Sequence, residues 1–188
     1  MSESHPSSTA RLVVGVSGSP GSLTALVRAA DEARRRGAEL WPVHAWVPPG
    51  GELAARRSPA AALMVPEWER LARERLLKVL YDVFGGAGSG LPGQALAARG
   101  TPGPALVQIA GREDDVIVVG AGRRGLLHRA LRPSVGRYCV AHAGCPVLAV
   151  PPSPLQAALE AAHRRNVLRL RLDTGRLEHE FDTVPPDA

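Results

Sequence analysis

The sequence predicts an α/β protein: a doubly wound, five-stranded parallel sheet with helices on both faces. Three observations carry that expectation. Short aliphatic runs alternate with segments whose apolar residues recur at helical spacing. The run VIVV at residues 116–119 is hydrophobic on both faces, as in the centre of a covered parallel sheet. Glycine-, proline- and serine-rich turns separate the elements.

In chain order, residues 1–10 read as a disordered polar tail, and RLVVGV at residues 11–16 as a buried strand. SGSPGS at residues 17–22 is turn chemistry. Leu23, Leu26, Val27, Ala30 and Ala33 place a helix over residues 23–36, with Gly37 as its left-handed stop. Residues 40–47 read as a second strand that starts late or carries a bulge at Pro42. PPGG at residues 48–51 opens a long loop that runs to about Val65. Pro66 and Glu67 look like a first helical turn. That helix continues through Trp68, Leu71, Leu76, Val79, Leu80 and Val83 and stops at Gly85.

Residues 85–93 read as a flexible glycine linker that does not pack. A third strand covers residues 94–99. A helix over residues 101–110 has Pro102 or Pro104 in its first turn and buries Leu106 and Ile109. Asp114 and Asp115 read as a turn before the fourth strand. Residues 133–142 form a fourth helix, and residues 145–150 a fifth strand stopped by Pro151 and Pro152. The α/β domain is thus expected over residues 11–152, with a C-terminal extension over residues 153–188. In the extension, residues 155–165 read as a short helix. The alternation after Val167 fits a hairpin, a continued helix or a loose tail.

A chain of 188 residues, 45% hydrophobic and 4% aromatic, packs one core mainly from Ala, Val and Leu. Its net charge of +5 comes from arginine, since Lys78 is the only lysine. A basic balance favours anionic ligands or a nucleic-acid surface in a salt-sensitive way. Scarce aromatics argue against a base-stacking surface, and no specific nucleic-acid partner is expected. Cys139 and Cys145 form neither a CxxC pair nor a zinc set, so no metal is expected. The first ten residues have no apolar signal core, and no apolar run approaches the roughly 20 residues that span a bilayer. A cytoplasmic protein without a membrane partner is the expectation.

In a doubly wound sheet, ligands bind beyond the carboxyl ends of the strands, where the winding direction switches. The loops after the first and fourth strands, SGSPGS and GAGRRG, are the natural pair for such a site. Arg123, Arg124, Arg129, Arg132 and Arg137 crowd the second loop. Arginine there reads either as a bidentate phosphate ligand or as a solvated basic face. His44, His128 and His142 have no carboxylate at sensible spacing, so none reads as an acid–base catalyst. Trp41, Trp46 and Trp68 are spaced like packing residues.

Over residues 11–150 the chain resembles the universal stress protein family, which is Rossmann-like. The resemblance rests on VVGVSGSPGS, a mid-chain GTP before a helix, DDVIVVGAG, and SVGRYCVAHAGCPVLAV. Nucleotide-binding members of that family look like G-x2-G-x9-G-[S/T] with an Asp just after the first strand. Aligned from both ends, the spacing fits without a gap as Gly120, Arg123, Pro133 and Ser134. Two glycines are therefore replaced, and Ser17 stands where the Asp is expected. A register starting at Gly122 and Gly125 restores two glycines but needs a two-residue deletion before Ser134. An arginine at 123 crowds a close backbone approach unless it faces the anion. A proline at 133 removes one amide donor, and one lost charge-assisted hydrogen bond costs about 1.5–3 kcal/mol.

The resemblance implies nucleotide positions at Val16, Ser17, Gly18 and Val43 on one side of the switch point. On the other side they are Gly120, Ala121, Gly122, Arg123, Pro133, Ser134 and Val135. It implies a stress-response binding or regulatory protein without catalytic turnover, its nucleotide site weakened or lost. ATP is the implied ligand in the alternative reading, as a nucleotide-dependent switch or weak ATPase. SGSPGS also resembles the S-G-G-x-D-S loop of ATP pyrophosphatases, but Gly21 stands in the place of its Asp. A homodimer through the exposed edge at Val147–Val150, and an unknown protein partner, complete the expectations.

Overall fold

The computed structural model describes residues 9–121 and 134–153. Five parallel strands lie in the order β3-β2-β1-β4-β5, formed by β1 (Arg11–Gly15), β2 (Glu39–Trp46), β3 (Leu96–Arg99), β4 (Val116–Gly120) and β5 (Val147–Val150). The described helices are α1 (Pro20–Arg36), α2 (Gly51–Arg57), α3 (Pro59–Phe84), α4 (Pro102–Ile109) and α5 (Val135–His142). The chain divides into two units, Met1–Pro152 and Ser153–Ala188. The helix and hairpin expected after Pro154 lie outside the described residues.

The period-two alternation of strand side chains sorts the core onto two faces. Leu12, Val14, Val16, Leu40, Val116, Val118 and Val150 meet α1 through Ala25, Leu26, Ala29, Ala30 and Ala33, and α3 through Leu76. Val13, Val43, Ile117 and Val119 point the other way, toward Leu106, Ala110 and Cys139. Each fully buried Leu or Val contributes about 1.5–3 kcal/mol. Alanines at four-residue spacing let α1 lie close to the sheet. At its end Gly37 takes φ 62 and gives its amide to Ala33 O, as the glycine stop requires. In the last turn Arg35 and Arg36 hydrogen-bond Glu32 and hold its carboxyl down to about 2.

Three expectations are corrected. Pro42 lies within β2, paired with Val14, with neither a late start nor a bulge. Leu40 N–H points outward to Pro92 O and Val43 O points inward to Val16 N–H. By alternation Pro42 faces outward, and pairing with β3 begins only at Val43, so no donor is missed there. Pro66 is inside α3 rather than at its start. The start is Ser58-Pro59: Ser58 Oγ accepts from Ala61 N at 3.3 Å, and Pro59 supplies the pre-set first turn. The span expected to be loop thus holds α2 and the beginning of α3. The glycine segment before β3 also packs. Leu91 joins the core, and a Cβ on Gly93 would stand 2.0 Å from Leu40 O, at φ 139.

The turn at Asp115 hides a further anchor. Asp115 is fully buried and accepts from Arg11 Nε at 2.8 Å, Arg11 Nη2 at 2.6 Å and the Arg112 amide at 3.0 Å. Arg11 also donates to Ile109 O and lies 4.5 Å over the Trp41 ring. These contacts tie the starts of β1, β2 and β4 together.

Candidate functional site

The winding switches between β1 and β4, and the loops that follow them open at the same end of the sheet. At the end of β1, Val16 is buried, its amide bonded to Val43 O at 2.8 Å and its carbonyl accepting from His44 Nδ1 at 2.9 Å. That contact makes Nδ1 the donor and leaves Nε2 as the acceptor of the neutral ring. Val43 is itself 1% exposed.

Beyond Val16 the chain turns through Gly18 at φ 76, a conformation that favours glycine. Ser17 is exposed, and its hydroxyl stands 3.0 Å from that of Ser19. Ser17 N donates to Ser22 Oγ, and Ser22 Oγ donates to Ser19 O at 2.8 Å. The loop is therefore a self-bonded serine turn that begins α1.

At the end of β4, a Cβ on Gly120 would meet Gly21 O at 2.5 Å and Gly21 C at 2.7 Å. Glycine is needed here so that β4 can abut the first turn of α1. Ala121 N–H donates to Val150 O at 2.7 Å, extending the ladder to β5. Ser134 begins α5, accepting from Arg137 N at 3.2 Å while its own hydroxyl hydrogen stays available. Val135 is the first helical residue. Close packing of α4 on α5 is set by Gly103, where a Cβ would stand 2.7 Å from the Tyr138 ring.

The topology thus brings Val16, Ser17, Gly18, Val43, Gly120, Ala121, Ser134 and Val135 to one end of the sheet. Gly122, Arg123 and Pro133 lie outside the described residues, as do Arg124, His128, Arg129 and Arg132. His142 ends α5, stacked on Tyr138 at 4.1 Å. Burial raises the thiols of Cys139 and Cys145 above their ordinary value. Among the described residues, no group of three or more His, Cys, Asp or Glu is placed to hold a metal. None of the described helices is long and apolar enough to cross a membrane.

Sequence reasoning missed a second constellation at this end. Arg99, the last residue of β3, donates to Glu52 of α2 through Nε at 3.0 Å and Nη2 at 2.8 Å. Its guanidinium lies 5.9 Å from the Trp46 ring centroid. The hydrogen bonds from Arg99 hold the Glu52 carboxyl below its ordinary range. Glu52 and Arg99 stand 47 residues apart, and no local pattern links them.

The universal stress protein family model matches residues 9–151. No curated protein matches the chain. A solved universal stress protein in complex with cAMP is 26% identical, with 78% of this chain and 100% of that one covered, at a TM-score of 0.51. A universal stress protein from Archaeoglobus fulgidus is 25% identical over 76% of this chain and 99% of its own, at a TM-score of 0.53. The hypothetical protein MJ0577, 16% identical over 77% and 96%, shares the fold at a TM-score of 0.58. With the parallel five-stranded order and the paired loops at its switch point, this chain belongs to the universal stress protein family.

Proposed function

We propose that this chain is a regulatory binding protein of the stress response, cytoplasmic and without catalytic turnover, whose hold on nucleotide is weakened. It acts as a homodimer through the β5 edge and reports to a protein partner. The observation that carries this reading is the serine turn after β1. Where a carboxylate would accept from a ribose, Ser17 offers a hydroxyl already engaged with Ser19. Two further features support it. Both backbone groups of Val16 and the amide of Ala121 are engaged within the protein. Gly120 has a packing reason for being glycine, independent of any phosphate.

A second reading, an ATP-binding switch, is favoured by the solved relative in complex with cAMP. Ser134 supports it too, with a free hydroxyl hydrogen at a helix start where amides point outward. Titration calorimetry with Mg·ATP separates the two readings. The weakened site predicts millimolar affinity, tightened about tenfold or more by Ser17→Asp, as one restored charge-assisted hydrogen bond requires. Low-micromolar binding by the unaltered protein overturns the proposal in favour of the switch. Sustained phosphate release from ATP would overturn the absence of turnover.

A further inference from the structure

At the far side of the same sheet end, Glu52, Arg56, Arg99 and Gly100 line an open cleft of about 580 Å³. We propose that this cleft is a second ligand site, for a small molecule bearing an oxyanion. The charges come first. Two guanidiniums and one carboxylate line it, and Glu52 is committed to Arg99 in a two-point bridge. Arg56 is exposed and forms no ion pair among the described residues. The lining thus carries a spare cation with the planar donor geometry that suits carboxylate and phosphate.

The second observation is Trp46. It is 8% exposed, and its indole nitrogen is buried with no hydrogen-bond partner, alone in this among the side chains of the described residues. An unmade hydrogen bond on a buried donor is costly, and native proteins keep few. Trp46 is tied to two of the four lining residues. Arg99 lies over its ring, and Gly100 N donates to its carbonyl at 2.7 Å. A donor in want of an acceptor therefore stands behind a wall with a spare positive charge, and an oxyanion satisfies both.

This site is separate from the one at the switch point. Val43 and Trp46 are three residues apart on β2, so their side chains point to opposite faces of the sheet.

The test uses the full-length isotope-labelled protein, following the three indole N–H resonances, with Trp46 assigned through Trp46→Phe. Inorganic phosphate and succinate are titrated separately, against sodium chloride at matched ionic strength. The Trp46 resonance is expected to move saturably with phosphate, succinate or both. Arg56→Gln, a change at an exposed helical position, should weaken that response about tenfold. Phosphate alone identifies a phosphoryl ligand, and succinate alone a carboxylate. Ser17→Asp should leave the response unchanged, which keeps the two sites distinct. A Trp46 resonance unmoved by either anion, moved equally by chloride, or indifferent to Arg56→Gln overturns the proposal.

Discussion

Strand β2 carries an arginine, a tryptophan and a carboxylate at each end, and the two trios differ in how completely they are closed. At its start, Arg11 lies over Trp41 and binds Asp115, with side-chain exposures of 9% and 0% for the pair. The Trp41 indole is also satisfied, donating to Glu39 Oε2 at 2.7 Å. At the other end, Arg99 lies near Trp46 and binds Glu52, with exposures of 39% and 37%, and the Trp46 indole has no partner. The same three residue types make a sealed joint in one place and an unfinished one in the other. What separates them is water and one missing acceptor, so the first is read as architecture and the second as recognition.

The largest effect expected from breaking this contrast is at Asp115. Asp115→Ala leaves the Arg11 guanidinium buried without its counter-charge, a loss of about 3–5 kcal/mol measurable by urea unfolding. Burial opposes the charged form of Asp115, but the hydrogen bonds from Arg11 and the Arg112 amide prevail and hold its carboxyl below the ordinary range. Because the folded value is the lower one, the pair stabilises fully above the unfolded value of about 4. That contribution disappears as pH falls through the depressed value. The gap in urea midpoint between the native protein and Asp115→Asn should therefore be widest near neutrality and close in acid. A gap that grows in acid would mean the carboxylate is not what holds Arg11.

Next in size is Gly120→Ala, which forces a methyl group against the Gly21 backbone and should cost about 1–3 kcal/mol by the same measurement. The smallest effect is expected at the open trio. Glu52→Gln should leave the urea midpoint unchanged, since exposed pairs contribute little and salt screens them. It should nonetheless alter the Trp46 indole resonance, because Arg99 is released from its bridge. A midpoint that falls as far as in Asp115→Asn would erase the distinction between the two ends.

Much of the fold could be read directly from the chain. The aliphatic runs of β1 and β4, the alanine stripe of α1 and the stop at Gly37 are local signals, and local physics decides them. Pro66 misled because proline is an ordinary first-turn residue. The true start, Ser58-Pro59, sits close behind a run of loop-forming residues that masked it. The segment before β3 misled because its glycines allow close approach to Leu40 rather than freedom. The switch-point positions were legible because topology and loop chemistry coincide there. Asp115 and the cleft at Arg99 were not, because their partners lie 104 and 47 residues away. Pairing across such distances is written in the fold and not in any window of residues.

The contact between Gly120 and Gly21 has one more consequence. Main chain meets main chain there, so the scaffold is mechanically indifferent to what the neighbouring loops carry, while Ser17, in the open, can be exchanged at small structural expense. Retooling for a new small molecule can therefore proceed on the rim without disturbing the keystone beneath it.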